Sequence, residues 1–229
     1  MARLILVYGQ PASGKTFAVK TLAPEKTIII DGDRKNALPW RGWKKNYSVE
    51  RKNFFPAQSL DKTINIIEAV AKADDYKHIT NIVVDGLNNI MGIEETATYF
   101  GKRPQYKDNK FALYEAIKHK TIWLIEIAKG YRSDLNIIFN AHVETADPYA
   151  PGEVDHLLTP GKSLGKQRKL EAAFNYTFYA KVDKEGNHFF ETAPINSTAR
   201  SPEGCFPAQI PNDLQLVIDT IDAYDIGDD

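Results

Sequence analysis

The eight residues Gly9-Gln10-Pro11-Ala12-Ser13-Gly14-Lys15-Thr16 constrain this chain more than any other stretch of its sequence. They follow the apolar run Leu4-Ile5-Leu6-Val7-Tyr8, which has the length of a strand. They lead into a helical pattern from Lys15 to about Leu22 that stops before Pro24. The stretch fits G-x-x-x-x-G-K-[S/T], in the strand–turn–helix setting that this pattern needs. Its glycines let the backbone wrap a phosphate chain with N–H groups pointing inward, and the helix N-terminus adds a favourable partial charge. Gly9, Gln10, Pro11, Ala12, Ser13, Gly14, Lys15 and Thr16 are therefore the candidate nucleotide-binding residues. Lys15 is expected to reach the β- and γ-phosphates, and Thr16 to offer a hydroxyl to Mg²⁺.

The rest of the chain has to build a sheet around that loop. Thr27-Ile28-Ile29-Ile30-Asp31, Ile82-Val83-Val84-Asp85 and Leu135 to Ala141 are apolar runs of strand length. Continuous rather than alternating runs suit central strands of a parallel sheet covered by helices on both faces. Leu60, Ile64, Ile67 and Ala71 recur at helical spacing behind Ser59 as a possible cap, and a second helical pattern runs from Asp108 to about Lys129. Tyr176–Val182 and His188–Thr192 flank a turn sequence and read as a hairpin. A last helix is expected from Leu214 to about Ile221. Residues 34–58 read as a surface excursion, 86–107 as a loop or irregular insertion, and 145–168 as a long loop of the kind that usually carries function or is disordered. The expectation is an α/β fold: a mostly parallel central sheet flanked by helices, with a C-terminal β-hairpin. A length of 229 residues suits a single domain over 1–229.

Composition excludes several classes. The single cysteine, Cys205, leaves no intrachain disulfide and no all-cysteine zinc site. No apolar run approaches the roughly 18 residues of a spanning helix, and the N-terminus lacks a signal-peptide pattern, so a cytoplasmic setting is expected. His78, His119, His156 and His188 are scattered and are assigned no metal.

Further candidates follow from strand ends. Asp85 closes its strand where a Walker-B carboxylate belongs, holding Mg²⁺ together with Thr16. Asn88 and Asn89 then stand as polar neighbours or as loop formers. Asp31 and Asp33 end the second strand, either as a water-orienting carboxylate or as turn and cap residues. Asn140 and His142 close the fourth strand, where a polar group can read a γ-phosphate. His142 alternatively caps or packs.

The balance of 29 basic and 30 acidic residues hides a segregation. Arg34, Lys35, Arg41, Lys44, Lys45, Arg51 and Lys52 stand among Trp40, Trp43 and Tyr47, with Glu50 the sole acid of residues 34–53. Lys102, Arg103, Tyr106, Lys107 and Lys110 form a second patch, and Lys162, Lys166, Arg168 and Lys169 a third. Cations with aromatic platforms suit single-stranded nucleic acid. The alternative is a solvated face with locally packed aromatics, or for 34–55 a protein contact. The acidic tail, about 219–229, is either a plain solvated end or a contact for a basic partner such as a neighbouring subunit.

Gly9–Thr16, Ile30-Asp31-Gly32-Asp33, Val83-Val84-Asp85-Gly86 and Ile138-Phe139-Asn140-Ala141-His142, in this order, resemble the RecA-like core of the recombination ATPases. The closer resemblance is to the small phage-encoded RecA-like ATPases of single-strand annealing and recombination. It spans most of residues 1–193 and extends loosely to Ile210-Pro211-Asn212-Asp213-Leu214. It implies a RecA-like P-loop core that hydrolyses ATP with Mg²⁺ in the host cytoplasm, stimulated by single-stranded DNA. Asp33 would occupy the position of the family's catalytic glutamate, with Lys15, Asp85, Asn140 and His142 completing the catalytic set. Lys102, Arg103, Lys107, Lys162, Lys166, Arg168 and Lys169 would contact DNA, and one of the last four would reach a neighbour's nucleotide. A homo-oligomer, ring or filament, and a single-strand-binding protein are the implied partners. The rivals are a nucleoside or nucleotide kinase, disfavoured by a 145–168 loop with no arginine short of Arg168 at its edge, and a non-catalytic nucleotide-gated adaptor.

Overall fold

The computed structural model describes residues 1–159 and 170–227. Along the chain run β1 (Arg3–Gly9), α1 (Lys15–Ala18), β2 (Thr27–Asp31), β3 (Phe54–Pro56), α2 (Leu60–Lys72), β4 (Asn81–Asp85), α3 (Leu87–Tyr99), α4 (Lys110–Lys129), β5 (Asn136–Glu144), β6 (His156–Leu157), β7 (Tyr176–Val182), β8 (His188–Glu191), β9 (Gln209–Pro211) and α5 (Leu214–Ile226). The sheet order is β3-β2-β4-β5-β1-β7-β8-β9. The pairings from β3 through β7 are parallel, and β7, β8 and β9 pair antiparallel. β6 pairs antiparallel with the end of β5. The fold is mixed α/β with a mostly parallel sheet flanked by helices, as a P-loop nucleotide-binding protein requires.

Successive side chains of a strand point to opposite faces, and β1 feeds two cores. Leu4, Leu6 and Tyr8 pack into one, with Ile64 and Ile67 of α2, Ile90 and Met91 of α3, and Ile117 and Leu124 of α4. Ile5 and Val7 pack into the other, with Ala18 and Leu22 after the loop and Leu214, Val217 and Ile221 of α5. Side-chain caps start three helices: Ser59 Oγ accepts from the Lys62 N–H at 3.1 Å, Asn109 Oδ1 from Ala112 at 3.0 Å, and Asp213 Oδ1 from Leu216 at 2.9 Å. Each such cap contributes on the order of 1 kcal/mol.

Several expectations are corrected. Residues 86–107 are not a loop: α3 begins directly after Gly86. Its buried positions, Leu87, Ile90, Met91 and Glu94, fall at helical spacing. The Asn-Asn pair and Gly92, weak helix formers, hid that pattern. The excursion 34–58 contains β3, and its aromatics are core rather than platforms. Tyr47 and Phe54 are buried, Trp40 and Trp43 pack on the same core, and the Trp43 and Phe54 rings lie 5.3 Å apart. The helix after the loop is one turn of α followed by a 3-10 turn over Val19–Thr21. The acidic tail is mostly the body of α5, and Arg3 binds Asp222 at 2.9 Å and Asp225 at 2.8 Å. Within 145–159 lies β6, while 160–169 lie outside the described residues. Among the described residues, no helix is long and apolar enough to cross a membrane.

Candidate nucleotide site

β1, β2, β4 and β5 run parallel and end on one rim, and their C-terminal residues enclose a cleft of about 360 Å³. This rim is where open α/β sheets bind ligands, because the connecting loops diverge there. The loop from Gly9 to Gly14 closes one side. A Cβ on Gly9 would sit 2.4 Å from the Ala180 carbonyl oxygen of β7, so the strand exit itself demands glycine. Gly14 has φ +90° at the start of α1, and Ala12 takes φ 63°, a left-handed conformation that costs an alanine on the order of 1 kcal/mol. Such local strain is characteristic of binding loops.

Lys15 Nζ donates to the carbonyls of Gly9 at 2.9 Å and Gln10 at 2.7 Å. Burial pulls the ammonium down to about 8, against the pull of Asp85 and Asp33 in the other direction. Thr16 Oγ1 lies 3.0 Å from both carboxylate oxygens of Asp85, and Asn140 Nδ2 donates to Asp85 Oδ1 at 2.8 Å. Burial pushes the Asp85 carboxyl up to about 6, although Asn140 and Thr16 oppose it. Asn140 Oδ1 is buried without a partner. A hydroxyl and a carboxylate converging this way are hard oxygen donors of the kind Mg²⁺ takes. Thr16 and Asp85 are the residues that would hold the ion.

Asp31 and Asp33 separate clearly. Asp31 is buried and its Oδ2 accepts from the Asn36 N–H at 2.7 Å, closing the turn that follows β2. Asp33 lines the cleft. Its Oδ1 accepts from Asn89 Nδ2, and its Oδ2 meets Lys35 Nζ at 2.5 Å. Burial alone would raise the Asp33 carboxyl, but Lys35 and Asn89 outweigh it and hold it below the ordinary range. The His142 N–H donates to Asn88 Oδ1 at 2.5 Å, and Asn88 Nδ2 donates in turn to the Leu158 carbonyl. His142 Nδ1 is buried without a partner, and burial with the nearby Lys15 lowers its pKa, favouring the neutral ring.

The cleft thus gathers Lys15, Thr16, Asp33, Asp85, Asn140 and His142. A groove of about 690 Å³ lies on the other side of Asp33, running along α3 past Arg34 and Asn89 to Phe100, Lys102 and Arg103. Lys102 and Lys107 are exposed, whereas Arg103 Nε is 2.9 Å from the buried carboxylate of Glu94. Lys162, Lys166, Arg168 and Lys169 lie outside the described residues. Sequence reasoning missed Lys35 and His188 as cleft residues, and Asn212, whose Nδ2 donates to the Ser13 carbonyl at 3.4 Å. His188 and Asn212 belong to distant segments that carry no local signal. Lys35 was visible, two residues beyond Asp33, but was counted with a surface patch.

The AAA domain family matches residues 1–200 of this sequence, a span that includes the loop, Asp85 and the β5 strand end. The chain belongs to the AAA domain family. No curated protein matches it. Membership of the AAA domain family implies a P-loop and nucleotide-dependent ATPase activity, in a class that typically uses Mg²⁺.

Proposed function

We propose that this AAA domain is a RecA-like ATPase that hydrolyses ATP in the β1–β4–β5 cleft and couples turnover to single-stranded DNA. The carrying observation is that Asp33 lines both the cleft and the groove bearing Lys102 and Arg103. One carboxylate thus stands between the phosphates and a cationic surface.

Lys15 and the Gly9–Gly14 backbone bind the triphosphate. Thr16 and Asp85 would hold Mg²⁺, which when bound would offset charge on the phosphate oxygens. Asp33 orients a water in line with the γ-phosphate. The water oxygen bonds to phosphorus, the bond to the β–γ bridging oxygen breaks, and the water proton passes to the Asp33 carboxylate. Asn140 and neutral His142 read the γ-phosphate. Asn88 carries that reading to the loop after β5, because it binds both the His142 N–H and the Leu158 carbonyl. Lys102, Lys107 and the basic residues of 162–169 contact DNA. Copies of the chain assemble as a ring or filament, with one of those bases reaching a neighbour's nucleotide. A phage setting and a single-strand-binding protein as a further partner belong to the same reading.

The test is ATP hydrolysis with and without single-stranded DNA, beside Lys15→Ala. DNA should raise turnover at least severalfold, and Lys15→Ala should abolish it. Turnover unaffected by DNA, with no DNA binding in the presence of ATP, overturns the recombination reading. Mass measurement with a non-hydrolysable ATP analogue tests assembly, and a strict monomer removes the role for a neighbour's base.

A further inference from the structure

We propose that Lys35 is a second triphosphate-binding cation, and that its transfer from Asp33 to the γ-phosphate frees the Asp33 carboxylate to act on water. The inference deepens the ATPase reading and rests on its assignment of Asp33.

The turn after β2 is built to bring this lysine back over the cleft. Asp31 Oδ2 holds the Asn36 N–H at 2.7 Å, and Arg34 and Asn36 both take left-handed backbone, with φ 56° and 51°. Gly32 sits so tightly under the turn that a Cβ there would lie 2.5 Å from the Asp85 carbonyl oxygen. A turn strained at two non-glycine residues and wedged against the end of β4 holds its conformation for a reason other than local preference. The result is Lys35 Nζ 2.5 Å from Asp33 Oδ2, in a cleft that Lys15 also lines.

The pairing leaves Asp33 with a partner on each oxygen, Asn89 on Oδ1 and Lys35 on Oδ2. A carboxylate capped by an ammonium is a poor proton acceptor, and each of its oxygens already carries one partner. The two partners differ in mobility. Asn89 is fixed in the first turn of α3. The Lys35 side chain is 70% exposed while that of Asp33 is 17% exposed, so the lysine can turn away while the carboxylate stays. The field of Lys35 reaches Lys15 and His142 as well as Asp33, so its charge acts across the phosphate-facing side of the cleft. A triphosphate carries more negative charge than one carboxylate and competes for the ammonium. A diphosphate lacks the terminal group and leaves the Lys35–Asp33 pair intact. The device therefore makes Asp33 available when there is a γ-phosphate to attack.

The experiment measures binding of a non-hydrolysable ATP analogue and of ADP, and steady-state hydrolysis, for wild type, Lys35→Ala, Lys35→Arg, Asp33→Asn and the double variant. Lys35→Ala should weaken the analogue about tenfold, the effect of losing one charge-assisted contact, and change ADP less than about twofold. Its kcat should fall along with its affinity for ATP. Lys35→Arg should recover most of the affinity. Asp33→Asn should tighten analogue binding, because the lysine no longer leaves a carboxylate, and adding Lys35→Ala should erase that gain. A Lys35→Ala protein that binds the analogue and ADP as wild type does, or that hydrolyses ATP faster, overturns the proposal. Wild type that binds nucleotide but never hydrolyses it fails the ATPase reading instead, a result that the Lys35 affinities do not affect.

Discussion

Asp85 and Lys15 carry the largest conflict between stability and chemistry at the residue scale. Burial lifts the folded Asp85 carboxyl from an ordinary 3.8 to about 6. Between those values the folded chain holds a proton that the unfolded chain has released. Stability therefore falls as pH rises through that window, and the cost is complete at neutral pH. Burial lowers Lys15 from 10.5 to about 8. There the unfolded chain holds the extra proton, so stability recovers as pH rises from about 8 toward 10.5. Both charges thus weaken the protein near pH 7, where the proposed ATPase cleft needs them. Asp85→Asn should raise the thermal midpoint at pH 7, by an amount corresponding to about 1–2 kcal/mol, and flatten its dependence on pH between 4 and 6. The same substitution should abolish hydrolysis. Calorimetric melts across pH, beside an ATPase assay, check both, and a lowered midpoint at pH 7 would refute the assignment. In wild type, kcat/KM should decline below about pH 6, because Mg²⁺ then competes with a proton for the free Asp85 carboxyl.

α3 is the element that connects the parts of the site. Its first turn follows Asp85 after Gly86 alone, and its two asparagines reach Asp33 (Asn89) and His142 and Leu158 (Asn88). Midway along it, buried Glu94 pairs with Arg103, which lies beyond its C-terminus. Asn88→Ala leaves the His142 N–H and the Leu158 carbonyl without this partner, a loss of about 1–2 kcal/mol. Amide exchange over 143–159 should accelerate while β1 and β4 stay protected. Unchanged exchange there would deny Asn88 its linking role. Arg103 and Lys107 should also part company. Arg103→Ala strands a buried carboxylate and should destabilise the fold by about 2–3 kcal/mol. Lys107→Ala, at an exposed position, should leave the melt within about 0.5 kcal/mol of wild type. Denaturant titration distinguishes them, and DNA-binding losses in the two variants then have different meanings.

At the scale of the whole molecule, two cores share one sheet, and the C-terminal helix closes the second. Leu214, Val217, Ile218 and Ile221 of α5 are buried, and Asn212 just before it touches the Ser13 carbonyl of the phosphate loop. A chain ending at Pro211 would expose the Ile5, Val7 and Leu22 side of the sheet. It should be insoluble or molten and fail to bind nucleotide, as circular dichroism and nucleotide titration would report. A cooperative melt from such a chain would show that α5 is dispensable.

The sequence by itself determined the parallel strands, the phosphate loop and the carboxylate at the end of β4, because each is written in contiguous residues. A run of β-branched residues, two glycines at fixed spacing and a strand-terminal aspartate need no distant partner to be recognised. Its strand ends alone left Asp31 and Asp33 as equals, it read 86–107 as a loop or irregular insertion, and it left Trp40, Trp43 and Tyr47 open between stacking platforms and locally packed aromatics. Tertiary structure decided each of these. Asp31 closes a turn while Asp33 faces the cleft, since only the three-dimensional path of residues 32–36 fixes where a side chain points. The aromatics are core because Trp43 packs on Phe54 of β3 and the cluster that takes them in is completed by residues of β1, β2, β7 and α5. His188, Asn212 and the pairing of Lys35 with Asp33 arise from the same cause. Their meaning lies in distances across the fold, and burial and electrostatics act through those distances, not along the sequence.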